Sequence, residues 1–101
     1  MDDFVLLFEK ASGHSVADLA SPLRTADLTE GRIELTALAV TRFALRSSDL
    51  ATVLHKNPGS LTRWLNCGIR REKEDPKFLD RINHLDNEVT AAARQLLSTK
   101  R

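Results

Sequence analysis

With 101 residues, 42% apolar and 29% charged, the chain is expected to form one domain, 1–101, around one modest core, and it is too apolar for a disordered tail. The longest apolar runs fall far short of the ~20 residues of a membrane span, the acidic start Met1-Asp2-Asp3 is not expected to be a secretory signal, and one cysteine provides neither an internal disulfide nor a zinc site. Fifteen Lys and Arg against 14 Asp and Glu leave a formal charge of +1, which at first sight argues against a nucleic-acid partner for what reads as a small cytoplasmic domain.

No segment reads as a strand, because tyrosine is absent and no run alternates with period two. The spacing predicts a first helix over about residues 3–11, capped by Asp2 or Asp3, with Phe4, Leu7 and Phe8 on one face. Ser12-Gly13 ends it. Ser15 has N-cap chemistry for a short helix through about Leu19, with Val16 and Leu19 facing inward. Ser21-Pro22 breaks the chain, residues 21–30 read as a loop or weak turn, and Thr29 is a candidate cap for the next helix. The third helix, from about Gly31 to Leu45, carries a broad apolar stripe through Ile33, Leu35, Leu38, Ala39, Phe43 and Leu45. It reads as the central core helix, with Arg42 and Arg46 near its C-terminal end, where they suit the helix dipole. Ser47-Ser48-Asp49 restarts a helix to about His55, with Leu50, Val53 and Leu54 apolar. Asn57-Pro58 opens the next, as N-cap and first helical residue, with Leu61, Trp64, Leu65 and Ile69 on one face. Asp75-Pro76 repeats that signal for a last helix ending near Ser98, with Phe78, Ile82, Leu85, Val89, Ala92 and Leu96 inward. The expected fold is all-α, about six helices with a central helix-turn-helix.

Two short helices joined by a tight turn over residues 47–65 carry the functional signal. A helix-turn-helix needs a small residue where its second helix crosses the first, and apolar residues around that crossing. Ala51 is the small residue, and Leu50, Leu54, Leu61 and Trp64 fill the apolar places. His55 stands where a glycine is usual, and a histidine takes the left-handed conformation at modest cost. The second helix then presents Gly59, Ser60, Thr62, Arg63 and Asn66 outward, with its N-terminal end directed at a major groove. Arg63 has the fork that reads guanine O6 and N7, and Ser60, Thr62 and Asn66 bond base edges or phosphate. The N–H groups of Gly59 and Ser60, beside Asn57, are expected to hold a phosphate. Lys56, Arg42, Arg46, Arg70 and Arg71, with Ser48 at the start of the first helix, are placed to contact backbone phosphates. Charge distribution agrees. Residues 1–30 are net −4, residues 41–73 are net +5, and the two remaining stretches are neutral. The basic stretch coincides with the helix-turn-helix.

The other chemistry-bearing residues read as structural. Cys67 has no second thiol, and His14, His55 and His84 are too scattered to suggest a metal site. No nucleophile–base spacing or glycine-rich phosphate loop occurs, so neither an enzyme nor a cofactor is expected. Trp64 reads as a core wedge rather than a base-stacking platform. The stripe from Phe78 to Leu96 reads as intramolecular packing that leaves room for a homodimer contact.

The order of these elements resembles a known family. Phe8-Glu9-Lys10-Ala11-Ser12-Gly13, Ser15-Val16-Ala17-Asp18-Leu19, Ser21-Pro22-Leu23-Arg24 and Gly31-Arg32 before a core helix through Leu38-Ala39 resemble the C-terminal DNA-binding domain of the bacterial replication initiator DnaA, a domain of the Trp repressor superfamily. Pro58-Gly59-Ser60-Leu61-Thr62-Arg63-Trp64-Leu65, then Gly68 and Glu74-Asp75-Pro76-Lys77-Phe78, look more like the C-terminal domain of REP-associated tyrosine transposases. The likeness covers nearly the whole chain and implies a DnaA-C-terminal-like, Trp-repressor-like DNA-binding domain. The initiator carries Arg-Asp-His-Thr-Thr-Val where this chain has Lys56-Asn57-Pro58-Gly59-Ser60-Leu61, so binding to the initiator's own box is not expected. The initiator's minor-groove loop is richly basic, and here Arg24 alone remains of it. With no tyrosine and no His-hydrophobic-His motif, the transposase's nuclease chemistry is not available to this chain.

The expected function is sequence-specific binding of double-stranded DNA, as a transposase-associated or regulatory domain without catalysis. The alternatives are a protein–protein interaction module that uses the acidic first 30 residues, and a decayed transposase remnant with weak, unspecific binding.

Overall fold

Six α-helices and one π-helical turn succeed one another along the described residues: α1 Asp2–Ser12, α2 Val16–Ala20, α3 Ala26–Ala37, the π turn Leu38–Arg42, α4 Ser47–Leu54, α5 Pro58–Glu74 and α6 Pro76–Thr99. The computed structural model describes residues 2–99. Among them there is no strand, and no helix is long and apolar enough to cross a membrane.

The core is built around α3. Residues 31–39 are buried without a break, so this stretch is covered on all sides rather than on one stripe. It packs chiefly against α5, while α1 lies on α6. Phe8, Leu19, Leu35, Leu38, Leu50, Leu54, Leu61, Ile82, Leu85 and Val89 are fully buried, each contributing about 1.5–3 kcal/mol of transfer free energy. Phe4 and Phe43 meet with ring centroids 5.0 Å apart at a 56° tilt, which ties α1 to the end of the central segment. Capping follows local chemistry at three starts. Ser15 accepts from the N–H of Asp18 at 3.0 Å, Asn57 from Gly59 at 2.9 Å, and Asp75 from Lys77 and Phe78 at 3.1 and 3.3 Å. Gly13, at φ +82°, ends α1 in the left-handed conformation.

Several expectations are corrected. Asp2 and Asp3 lie inside α1 rather than before it. The third helix begins earlier than Gly31, at Ala26, and its cap is Thr25, whose Oγ1 accepts from the N–H of Leu28 at 3.2 Å, not Thr29. Both threonines have the same capping chemistry, and the choice falls to the one that lets Leu28 reach the core. The helix does not run on to Leu45. At Leu38 it widens into the π turn, and Ala44 then adopts φ 53° and turns the chain. The N–H of Leu45 closes this turn on the carbonyl of Ala39 at 3.0 Å. Arg42 therefore ends the π turn, while Arg46 occupies the N-cap position of α4 without a capping hydrogen bond. The apolar stripe of α6 is buried only as far as Val89, with Ala92 half-buried and Leu96 47% exposed. Ile69, expected inward, is at the surface at 37%.

Glu34 is a carboxylate inside this core, 5% exposed. Its Oε2 faces Arg81 Nε at 3.5 Å, and its Oε1 has no hydrogen-bond partner among the described residues. Burial pushes its pKa above the ordinary carboxylate range; the charge of Arg81 offsets this in part, Glu30 adds to it, and His14 opposes it. The folded state thus holds this proton more tightly than the unfolded chain. Stability falls as pH rises from the ordinary glutamate value through the raised one, and the loss is complete above it. Glu34→Gln is expected to remove that slope and to raise stability at pH 7 by about 1 kcal/mol, read as melting temperature against pH. A steeper slope, or a loss at pH 7, contradicts this account.

Candidate nucleic-acid interface

α4 and α5 form the helix-turn-helix. Leu50, Ala51, Leu54 and Leu61 are buried at the crossing, as the spacing requires. His55 takes φ 53°, ψ 43°, the left-handed position at which a glycine is usual. Its N–H bonds the carbonyl of Thr52 at 3.2 Å, and that of Lys56 bonds the carbonyl of Ala51 at 2.9 Å, which is the paired closure of a Schellman turn. Pro58 is the first helical residue of α5, where its missing N–H costs nothing.

The outer face of α5 carries Gly59, Thr62, Arg63, Asn66 and Arg70, all exposed, with Ser60 half-buried at its edge. Arg63 and Arg70 are seven residues apart, so their side chains lie about 20° apart around the helix and ~10 Å apart along it. The Nη2 of Arg63 donates to Ser60 Oγ at 3.4 Å, a long contact that leaves the guanidinium largely free. Trp64 is half-buried, packed against the core with one side at the surface. The start of α5 is closed by its own cap. The N–H groups of Gly59 and Ser60 are already bonded, to the side-chain oxygen and carbonyl of Asn57, each at 2.9 Å. A phosphate at this end would have to compete with the cap for both donors.

The structure sorts the remaining cations by what they touch. Arg42 is spent internally, with Nη1 3.1 Å from Asp86 and Nη2 3.1 Å from Glu72 and 2.9 Å from Asn83. It locks the π turn to α5 and α6 rather than facing a phosphate. Arg71 is likewise engaged, 2.6 Å from Glu30 and 3.6 Å from Asp75, with its guanidinium 4.3 Å from the centroid of Phe78. The hydrogen bond to Glu30 is the largest of the effects that raise its pKa. Arg24, Arg46, Arg63 and Arg70 pair with no carboxylate among the described residues. Ser48 is exposed on the first turn of α4, and its carbonyl accepts from Thr52 Oγ1 at 3.1 Å. Lys56 Nζ donates to the carbonyl of Ser21, 2.5 Å away, and ties the turn to the 21–25 loop.

That loop and α5 enclose a half-open cleft of about 500 Å³. Arg24, Arg32, Lys56 and Arg63 line it together with Trp64, and among the described residues no carboxylate does. Arg32 is 3% exposed. Its Nε bonds the carbonyl of Leu19 at 2.9 Å, and its Nη2 bonds those of Ser21 at 2.9 Å and Asp18 at 3.4 Å. Its guanidinium carbon lies 6.0 Å from the centroid of Trp64. Burial, then the charge of Arg24, lowers the pKa of Arg32; burial, then Arg32 and Arg24, lowers that of Lys56.

Sequence reasoning did not find Arg32. It sits in the apolar run of the central helix, and nothing in its spacing distinguishes a buried cation from a solvated one. The grouping of positions 24, 32, 56 and 63 arises only from the packing of the 21–25 loop across α3 and α5. Among the described residues, no three His, Cys, Asp or Glu side chains converge as a metal site. Comparison with protein-family models, curated proteins and solved structures returned no match to this chain.

Proposed function

We propose that the chain is a double-stranded DNA-binding domain whose α5 enters the major groove. The observation that carries the reading is the split among the arginines. Arg42 and Arg71 are ion-paired inside the fold, while Arg63 and Arg70 stand on one exposed face of α5 with no carboxylate partner among the described residues. An uncompensated basic face on the second helix of a helix-turn-helix suits a polyanion. Arg63, Asn66 and Thr62 are then the base readers. Arg70, Arg46 and Arg24, with Ser48, contact the backbone and set the register. The resemblance to the initiator's C-terminal domain and to the transposase-associated domains supports a cytoplasmic regulatory or transposition-related role.

Fluorescence anisotropy with duplexes selected from a random pool tests the reading. Binding is expected to weaken steeply with salt, as counterion release requires. Arg63→Ala is expected to lower affinity for the selected site roughly 10- to 100-fold and to relax preference at one or two base pairs. Arg70→Ala is expected to weaken all sequences alike and to lower the salt slope by about 1. No binding to any duplex at low salt sinks the proposal.

A second reading, a protein-interaction module, has its own observation. Leu6 is 54% exposed and lines a small apolar groove of about 210 Å³ with Val5 and Val16 of the acidic N-terminal part and Val53 of α4. Co-purification of a protein partner without DNA affinity decides for it.

A further inference from the structure

The cleft between the 21–25 loop and α5 gathers positive charge that its own walls do not neutralise. Four cations line it, and among the described residues no Asp or Glu does. Like charges held together at a partly desolvated surface repel, and that repulsion falls when an anion joins them. The lowered pKa values of Arg32 and Lys56 have this repulsion among their causes. The donors also have capacity to spare. Arg32 spends its Nε and Nη2 on carbonyls, and its Nη1 makes no hydrogen bond among the described residues. Lys56 spends one of its three N–H bonds on Ser21. Arg24 is exposed and makes no hydrogen bond or ion pair among the described residues. Arg32 is also held rigid, since it is almost wholly buried and bonded to three carbonyls. Its unspent Nη1 is therefore a fixed cationic donor, with two N–H groups for a phosphate oxygen and less freedom to lose than a mobile lysine.

Apart from Thr29 and Ser60, the rest of the wall is apolar. Leu23, Ile33, Cys67 and the Trp64 indole supply a surface that a bare phosphate leaves uncovered. A volume of about 500 Å³ lies within the range of pockets that enclose small organic ligands. We propose that this cleft binds a phosphate monoester that carries a flat ring, with the phosphate among Arg24, Arg32 and Lys56 and the ring against the Trp64 side. A nucleoside monophosphate has that chemistry. The cleft shares Arg24 and Arg63 with the proposed DNA interface, but the inference needs only the phosphate among Arg24, Arg32 and Lys56 and does not require α5 to enter a groove.

Trp64 is the single tryptophan of the chain, so its fluorescence reports directly on the cleft. The full chain is titrated with adenosine 5′-monophosphate, with adenosine, and with inorganic phosphate. The nucleotide is expected to change the emission saturably, with half-saturation below about 1 mM. Adenosine and inorganic phosphate are expected to bind at least about ten-fold more weakly. Arg24→Glu is expected to weaken the nucleotide by about ten-fold or more, with no fall in melting temperature, because Arg24 makes no contact that the fold requires and its charge repels Arg32 and Lys56. A strand end presents the same group, so a 5′-phosphorylated oligonucleotide and its unphosphorylated twin are titrated beside it. Saturation by the free nucleotide assigns a soluble ligand. Saturation by the phosphorylated strand alone assigns a strand end, and both outcomes uphold the cleft. The proposal is overturned by no saturable change with any phosphorylated probe, by equal responses to adenosine and its monophosphate, or by an Arg24→Glu protein that binds as the unaltered chain does. Loss of duplex binding with nucleotide binding intact removes the reading of the α5 face and leaves this one standing.

Discussion

Gly68→Val is expected to cost about 3 kcal/mol and to lower the melting temperature by more than about 10 °C. Gly68 lies within α5 and is buried. In an open helix, replacing such a glycine gains up to about 1 kcal/mol with alanine, because glycine has the larger backbone entropy to lose. Here the sign reverses. A Cβ at position 68 would stand 2.7 Å from the Cβ of Ala37, with Ile33 Cγ2 and the Ile33 carbonyl at 3.6 Å. Ala37 is fully buried on α3 and has no flexible end to move aside. The two axes must separate, and α3–α5 is the most extensive contact between helices in the fold. Gly68→Ala is expected to show the same effect in reduced form, a net loss of about 1 kcal/mol after its helix-propensity gain. Ala37→Gly combined with Gly68→Ala should recover part of that loss. Thermal melts of the two single variants and the double variant measure the coupling. A Gly68→Ala protein that melts higher than the unaltered chain contradicts the close approach.

Arg32→Leu is expected to cost about 2–4 kcal/mol. Two terms oppose each other. Leucine relieves the desolvation of a buried charge and its repulsion from Arg24. It also deprives the carbonyls of Leu19 and Ser21 of their Arg32 donors. The bond to Leu19 is buried, where water does not replace the lost donor, so the second term wins. Arg32 is also what pins the end of α2 and the start of the 21–25 loop to α3. Its loss should make that loop the first site of limited proteolysis. Arg32→Lys keeps the charge without the fork and should restore less than half of the stability. Urea melts and timed proteolysis check both expectations, and a loop that stays protected in Arg32→Leu contradicts the role given to Arg32.

Much of the architecture was legible because it depends on neighbours in the chain. A cap is a contact over two or three residues, so Ser15, Asn57-Pro58 and Asp75-Pro76 could be read directly. The turn at His55 was legible for the same reason, since a left-handed residue between two apolar-spaced helices is a local requirement. The end of the central helix was not legible. Ala39 to Leu45 continue the apolar spacing, and only the demands of packing explain a π turn and an alanine at positive φ. The exposed Leu96 and Ile69 failed for a related reason. Periodicity marks a face, and the extent of that face that is covered depends on where the neighbouring helices end.

The candidate site divides along the same line. The outward set on α5, with Arg63, Asn66 and Arg70, comes from helical geometry once Asn57 is taken as the cap. Which cations are free to meet a ligand does not. Arg42 and Arg70 look alike in the sequence, yet Arg42 meets Glu72, Asn83 and Asp86, residues that lie 30 or more positions away. Sequence by itself determined an all-helical chain, the starts of α2, α4, α5 and α6, the helix-turn-helix and the polarised charge, because backbone hydrogen bonding and side-chain period act over a few residues. Tertiary structure alone decided the fate of each charge, the buried fork of Arg32 and the cleft it lines, because burial and pairing are set by residues that only the folded chain brings together.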